Sequence, residues 1–227
     1  MTEFQRGHWY KGMFITLDGG EGSGKSTVMR GVLTELRGKG YFVVVGREPG
    51  GTIIGEEIRH VLQYSKSNGG MSPETELFLF EGARAQLFRE VVVPTLIGGG
   101  IYFSDRGDDS SSAYQGHGRG LDVEFIDLAN RIASQGIKPD LTFILDIDPK
   151  IGLELARGKG VRDRMESQAM DFYERVREGY LEVARREPKR CKVIESVKDK
   201  LDVAKLQIME EISKFIRIYD LDRILKK

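Results

Sequence analysis

The chain has 227 residues, 40% hydrophobic and 31% charged, with 35 basic and 35 acidic side chains and a net charge of zero. That size suits one large domain, and that balance argues against gripping nucleic acid through an overall basic surface. No run of 18 apolar residues exists, so no membrane-spanning helix is expected, and the single cysteine, Cys191, excludes an intrachain disulfide; the expected setting is the cytoplasm.

Residues 1–11 are polar and aromatic and read as a loose extension. Met13–Leu17 is a short apolar run, the pattern of a buried strand. A glycine-rich turn, Gly19 to Gly24, leads into Ser26–Arg37, where Val28, Met29, Val32, Leu33 and Leu36 recur at helical spacing. Gly38 and Gly40 end that helix, and Tyr41–Val45 is a second strand. Thr52 to Tyr64 reads as a helix and Ser65–Met71 as a loop. Ser72-Pro73-Glu74 starts the next helix, whose pattern runs through Phe80 and Phe88 toward Val93. Gly98–Gly100 turns the chain into a third strand, Ile101–Phe103. A helix over Asp122–Gln135 and a fourth strand, Leu141–Leu145, follow. Gly152–Ala156, Ser167–Arg186 and Val203–Ile216 read as helices, with a fifth strand at Cys191–Ile194.

Strands that are nearly all apolar and alternate with helices imply a parallel sheet covered on both faces. The expected fold is therefore α/β, one domain over 12–216 with about five parallel strands. Residues 217–227 continue a charged helical pattern that the core does not obviously need.

Twenty-eight glycines, well above the usual ~7% of a chain, cluster at element ends. Gly19-Gly20-Glu21-Gly22-Ser23-Gly24-Lys25-Ser26 matches the phosphate-binding pattern G-x-x-x-x-G-K-[ST] between a strand and a helix, a P-loop of the NTPase type. Glycines let backbone N–H groups wrap a polyphosphate, and the helix N-terminus adds positive potential. Lys25 suits the β- and γ-phosphates of ATP, and Ser26 offers a hydroxyl to Mg²⁺. The nucleotide-binding stretch is expected to extend through Thr27.

A P-loop does not say what happens to the nucleotide. Four further clusters fall near strand C-termini, the edge where open α/β sheets bind ligands. They are Arg47-Glu48-Pro49-Gly50-Gly51-Thr52, then Phe80 with Arg84 one helical turn on, then Asp105-Arg106 leading into Ser110–Gly116, and last the basic run Arg157, Lys159, Arg162 and Arg164.

In this order REPGGT, LFLFEGARAQ, DR…SSSAYQG…GRG and KPDLTFILDIDP resemble bacterial thymidylate kinases from about Met13 to about Ile212. The resemblance implies transfer of the γ-phosphoryl group of ATP to dTMP, with Mg²⁺, in dTTP synthesis. It implies that Arg47 holds the acceptor 5′-phosphate, with Pro49 beside it. Phe80 would stack on thymine, and Arg84 would donate to O4. Ser111 would face the N3 edge, Tyr114 would crowd the sugar C2′, and Gln115 would belong to the same pocket. Arg106 would bridge donor and acceptor phosphates, close to Glu21, and Asp105 would sit near Mg²⁺. A lid near 156–166 would supply the catalytic arginine, Arg157, Arg162 or Arg164, because the inner P-loop positions hold no basic residue. The family forms homodimers, so a homodimer is expected. Departures from the family pattern are Asp18 for Glu, Gly107 after Asp-Arg, Glu81 for a small residue, and Ala83 where an acid often precedes the arginine, so that Arg84 would be held less firmly. Asp108-Asp109 would add acid near the metal. A kinase for another pyrimidine monophosphate, and a non-catalytic nucleotide-binding regulator, are the competing readings.

Overall fold

Five strands form one parallel sheet in the order β2-β3-β1-β4-β5: β1 (Met13–Gly19), β2 (Val43–Arg47), β3 (Ile101–Asp105), β4 (Leu141–Asp146) and β5 (Cys191–Glu195). The structure is a computed structural model that describes residues 9–65, 70–157, 164 and 168–226. The helices are α1 (Lys25–Gly38), α2 (Ile53–Gln63), α3 (Pro73–Leu87), α4 (Val93–Ile97), α5 (Asp108–Ser111), α6 (Val123–Ala133), α7 (Pro149–Ala156), α8 (Met170–Arg186), α9 (Leu201–Ile218) and α10 (Asp222–Leu225). This is the α/β architecture expected from the apolar strands.

Local chemistry sets several boundaries. Ser72 Oγ accepts from the Thr75 N–H at 3.2 Å, and Pro73 fills the first helical position of α3. Thr52 caps α2 through the Gly55 N–H at 2.9 Å, and Asp122 caps α6 through the Phe125 N–H at 2.9 Å. Residues 112–118, between α5 and α6, wind as a π-helical turn packed against α8.

β1 alternates. Met13, Ile15 and Leu17 join the core built with α1 and α9, while Phe14 packs with Leu87, Phe88 and Tyr102 on other elements. On the Phe14 face, Thr16 is fully buried and shares a 2.8 Å hydrogen bond with Thr142 of β4, so its hydroxyl is not stranded.

Two terminal stretches are more integrated than their composition suggests. Tyr10, inside the stretch expected to be loose, is buried with Phe14. Leu221 and Leu225, in the charged C-terminal stretch, enter the main core. The Leu225 carbonyl accepts from the Phe42 N–H at 3.0 Å, and Tyr41 pairs with Lys226. That engagement explains why β2 begins at Val43 rather than Tyr41. Burying each leucine contributes about 1.5–3 kcal/mol.

The chain leaves β1 toward β2 on one side and later returns to β4 on the other. The C-terminal end of β1 therefore lies at the switch point of the sheet, where the crevice opens.

Candidate active site

At that switch point the loop after β1 rises to α1. Gly22 has a left-handed φ of 69°, and a Cβ there would lie 1.9 Å from the Gly152 carbonyl oxygen. Backbone thus lies directly on backbone, P-loop against α7, and only glycine permits it. Lys25 Nζ donates to the carbonyls of Gly19 and Gly20 at 3.0 and 2.9 Å. Ser23 Oγ donates to Gly20 O at 2.8 Å, and Ser196 Oγ holds Ser23 O at 2.7 Å. Ser26 and Thr27 are exposed in the first turn of α1, whose cap, Gly24, accepts from the Thr27 N–H. Burial, and then the neighbouring Arg106 guanidinium, lower the Lys25 pKa from its ordinary value. Two cations facing one space make a site for an anion.

Arg106 follows β3 with φ 72°, unusual for a residue with a side chain. Its N–H is pinned to Leu17 O at 3.0 Å. Its guanidinium donates to Gly19 O and Tyr180 Oη at 3.1 Å each and to Glu21 Oε1 at 2.6 Å. It also lies 5.1 Å from the Tyr114 ring centre. Burial would raise Glu21, but Arg106 and Lys25 outweigh it and hold that carboxyl below its ordinary value. Tyr114 Oη reaches Glu21 Oε1 at 3.3 Å. The backbone strain at Arg106 is maintained by this ring of partners.

Behind Arg106 a chain of hydroxyls continues. Tyr180 Oη and Ser110 Oγ are 2.7 Å apart, and Ser110 Oγ donates to Asp18 Oδ1 at 2.6 Å. Burial, with Asp109 nearby, pushes Asp18 up to about 6. Sequence reasoning missed Tyr180, and it placed Ser110 in the segment after Asp105-Arg106 without giving it a role. Tyr180 lies in register with Tyr173 and Val176 on α8 and reads as core, and nothing local marks its hydroxyl.

One cleft of about 730 Å³ runs from the P-loop, Glu21 through Thr27, to Arg47, Pro49, Phe80, Arg84, Ser111, Tyr114 and Gln115, with Asp105, Arg106 and Arg157 also on its wall. Gly19 and Gly20 line a small adjoining recess. Arg47 is exposed and pairs with Glu56 at 2.8 Å. Phe80 is half-buried, and Arg84 is fully buried.

Arg84 is held firmly, contrary to the expectation drawn from Ala83. Nε donates to Glu48 at 2.6 Å, and Nη1 to Glu81 at 2.5 Å and Asn130 at 2.6 Å. Nη2 reaches Ser111 Oγ at 3.1 Å and Gly107 O at 3.3 Å. Glu81, one of the departures, supplies an acid that position 83 lacks. All five N–H groups are engaged, so an O4 contact would exchange one of the two longer Nη2 bonds.

Other departures also resolve. Gly107 leaves no gap, because a Cβ there would meet Thr16 Cγ2 at 2.7 Å. Asp109 adds no free acid for a metal: it is tied to Arg190 at 2.7 and 2.9 Å and to Thr142 at 2.8 Å. Asp105 Oδ1 is buried without a hydrogen-bond partner, which fits a cation or its water shell. Among the described residues no cluster of three or more His, Cys, Asp or Glu gathers. That is compatible with Mg²⁺, which takes one or two protein ligands when it travels with phosphates.

The basic run divides. Arg157 caps α7 and lines the cleft. Arg162 and Lys159 lie outside the described residues. Arg164 is not on the cleft wall: it meets Glu76 at 2.5 Å and donates to Leu62 O at 3.1 Å. The buried Glu76 carboxylate, invisible as a partner in the sequence, draws it there.

Residues 17–207 match the family model described as thymidylate kinase. A thymidylate kinase of Desulfosudis oleivorans is 45% identical over 199 residues, covering 85% of this chain and 92% of that protein. One from Thermoanaerobacter sp. is 39% identical over 206 residues, 91% of this chain and all of that protein. The crystal structure of thymidylate kinase from Ehrlichia chaffeensis superposes with a TM-score of 0.73 at 33% identity, covering 88% of this chain and 98% of that one. With a P-loop, a cation-lined cleft and these likenesses over most of its length, the chain belongs to the thymidylate kinase family.

Proposed function

We propose that the protein transfers the γ-phosphoryl group of ATP to dTMP, giving ADP and dTDP. The observation that carries this reading is Arg106. Its guanidinium bonds the P-loop at Gly19 and Glu21 and lies over Tyr114, so one preorganised cation spans the donor and acceptor halves of the cleft. Lys25 and the α1 N-terminus hold the ATP phosphates, and Arg47 holds the acceptor phosphate. Phe80 and Arg84 hold the base. No covalent intermediate is needed; positioning and charge stabilisation suffice. Ser26 and Asp105 would hold Mg²⁺, which when bound neutralises charge on the phosphates.

The test is ADP formation with a panel of 5′-monophosphates. ADP should appear only when an acceptor is present, and dTMP should be the best one. Loss of the thymine methyl should make dUMP roughly 10–200-fold less efficient. Another pyrimidine monophosphate outrunning dTMP would reassign the substrate. ATP binding without acceptor-dependent ADP would make the protein a regulator.

A homodimer, the assembly expected by resemblance, has a surface to match. α2, α3 and α6 expose Ile53, Ile54, Phe78, Phe125 and Ile132, and Phe78 meets Phe125 edge to face at 6.1 Å. Light scattering should give twice the 25.6 kDa chain mass, and the chain mass alone would rule the dimer out. No helix among the described residues is long and apolar enough to cross a membrane.

A further inference from the structure

The two terminal nitrogens of Arg106 face different surroundings. Nη2 donates to Glu21 Oε1 at 2.6 Å, on the wall of the cleft. Nη1 donates instead to two neutral acceptors, Gly19 O and Tyr180 Oη, each at 3.1 Å. Phosphate groups entering the cleft compete with Glu21 for the guanidinium, because both are anions that take its N–H groups. The Nη2 bond is therefore the exchangeable one. Tyr180 stands on the other side, in the small recess behind the cleft wall, where Nη1 is held by the fold itself.

The Tyr180 ring is buried and meets the Tyr114 ring edge to face at 6.2 Å. Burial pushes its phenol above the ordinary value, so the proton stays on Oη. That proton has one destination. A guanidinium only donates, so Oη accepts from Arg106. Ser110 Oγ lies 2.7 Å from Oη, and the single Ser110 proton goes to Asp18 Oδ1 at 2.6 Å. Tyr180 must then donate to Ser110. The chain Arg106–Tyr180–Ser110–Asp18 runs one way, from a cation through two hydroxyls to a fully buried carboxyl group. Each link fixes the hydroxyl rotor before it, and Oη is left with its lone pairs toward Nη1.

We infer that Tyr180 and Ser110 are a positioning pair for the phosphoryl-transfer step: the Tyr180 hydroxyl, oriented by Ser110 and Asp18, pins Nη1 of Arg106 so that Nη2 leaves Glu21 for the phosphates without the guanidinium losing its aim. A donor held at one end is preorganised for the charge that develops at the other. The inference rests on the dTMP-kinase reading and adds to it an anchor on α8, 74 residues from the arginine it holds.

The test is a double-mutant cycle on kcat and KM. Tyr180→Phe keeps the ring and its packing on Tyr114 and removes only the hydroxyl. Its kcat should fall about 10- to 100-fold, the effect of losing one hydrogen bond to a charged group at the reacting centre, while the KM for dTMP changes only a few-fold. In an Arg106→Lys background the same substitution should change kcat no more than a few-fold, because an ammonium has no Nη1 to be pinned. A hydroxyl that served packing alone would cost the same factor in both backgrounds. Ser110→Ala takes away the acceptor of the Tyr180 proton; it should lower kcat in the same direction and add little to Tyr180→Phe. A melting curve establishes that each variant is folded at the assay temperature. If Tyr180→Phe is unfolded, Ser110→Ala in the two Arg106 backgrounds decides by the same criterion. A folded Tyr180→Phe that keeps kcat, that raises KM alone, or that loses as much kcat in Arg106→Lys as in the unmodified protein overturns the proposal. If the unmodified protein makes no ADP with dTMP, the dTMP-kinase reading itself has failed, an outcome distinct from all of these.

Discussion

Arg106→Ala should lower kcat by on the order of 10²–10³, the loss expected for one preorganised charge donor. The argument is geometric. The guanidinium makes three hydrogen bonds, to Gly19 O, Tyr180 Oη and Glu21 Oε1. It is therefore already aimed before substrate arrives, and little reorganisation accompanies the shift of charge between phosphates. Removing it also leaves the Glu21 carboxylate without its 2.6 Å partner beside an anion site. The KM for dTMP should rise as well, because that repulsion exists in the ground state. Arg106→Lys should rescue poorly, since one ammonium cannot reproduce the planar fork that reaches all three partners. Steady-state kinetics with both substrates varied checks this. A kcat within about ten-fold of the unmodified protein would show that Arg106 is not the bridging cation.

Arg157 and Arg164 should separate sharply, although the sequence presents them as equivalents. Arg157 is exposed at the end of α7 and lines the cleft. α7 itself rests backbone to backbone on the P-loop through Gly22 and Gly152, and Arg157 stands at its C-terminal end. An arginine that meets only the transferring group stabilises the transition state more than either bound substrate. Arg157→Ala should therefore lower kcat by on the order of 10²–10³ while the KM for dTMP hardly moves. Arg164→Ala should behave as a structural change. It removes one of the two arginines on the buried Glu76 carboxylate, at a cost on the order of 1–3 kcal/mol. The melting temperature should drop and kcat should change only a few-fold. If Arg164→Ala loses kcat as Arg157→Ala is expected to, its place beside Glu76 is not its working position. If Arg157→Ala keeps kcat, the cleft-wall arginine is only solvated charge.

What the sequence determined by itself is whatever depends on neighbours along the chain. Nearly all-apolar runs place the strands: β1, β3 and β4 are buried on both faces, which leaves no room for alternation. Ser72-Pro73, Thr52 and Asp122 mark helix starts because a cap acts over three residues. The P-loop is legible for the same reason: its glycines, Lys25 and Ser26 are contiguous, and the flanking strand and helix are local too. Phe80 and Arg84 could be paired because four residues is one helical turn.

Only the tertiary structure decided the partners of buried charge, because those lie far apart in the chain and no spacing rule connects them. Arg84 meets Glu48 and Asn130, 36 and 46 residues away. Arg106 meets Tyr180, 74 residues on, and Arg164 meets Glu76, 88 residues back. Burying a charge is costly unless a partner is found, so each of these side chains goes where the fold puts an opposite charge or an open acceptor. That cost places Arg164 at Glu76 rather than on the cleft wall. It also holds Arg84 without the acid that position 83 lacks. The same logic in apolar form drew Leu221 and Leu225 into the core from a stretch whose charge pattern pointed outward. Composition records how much can be buried; the packed sheet and helices decide which side chains are.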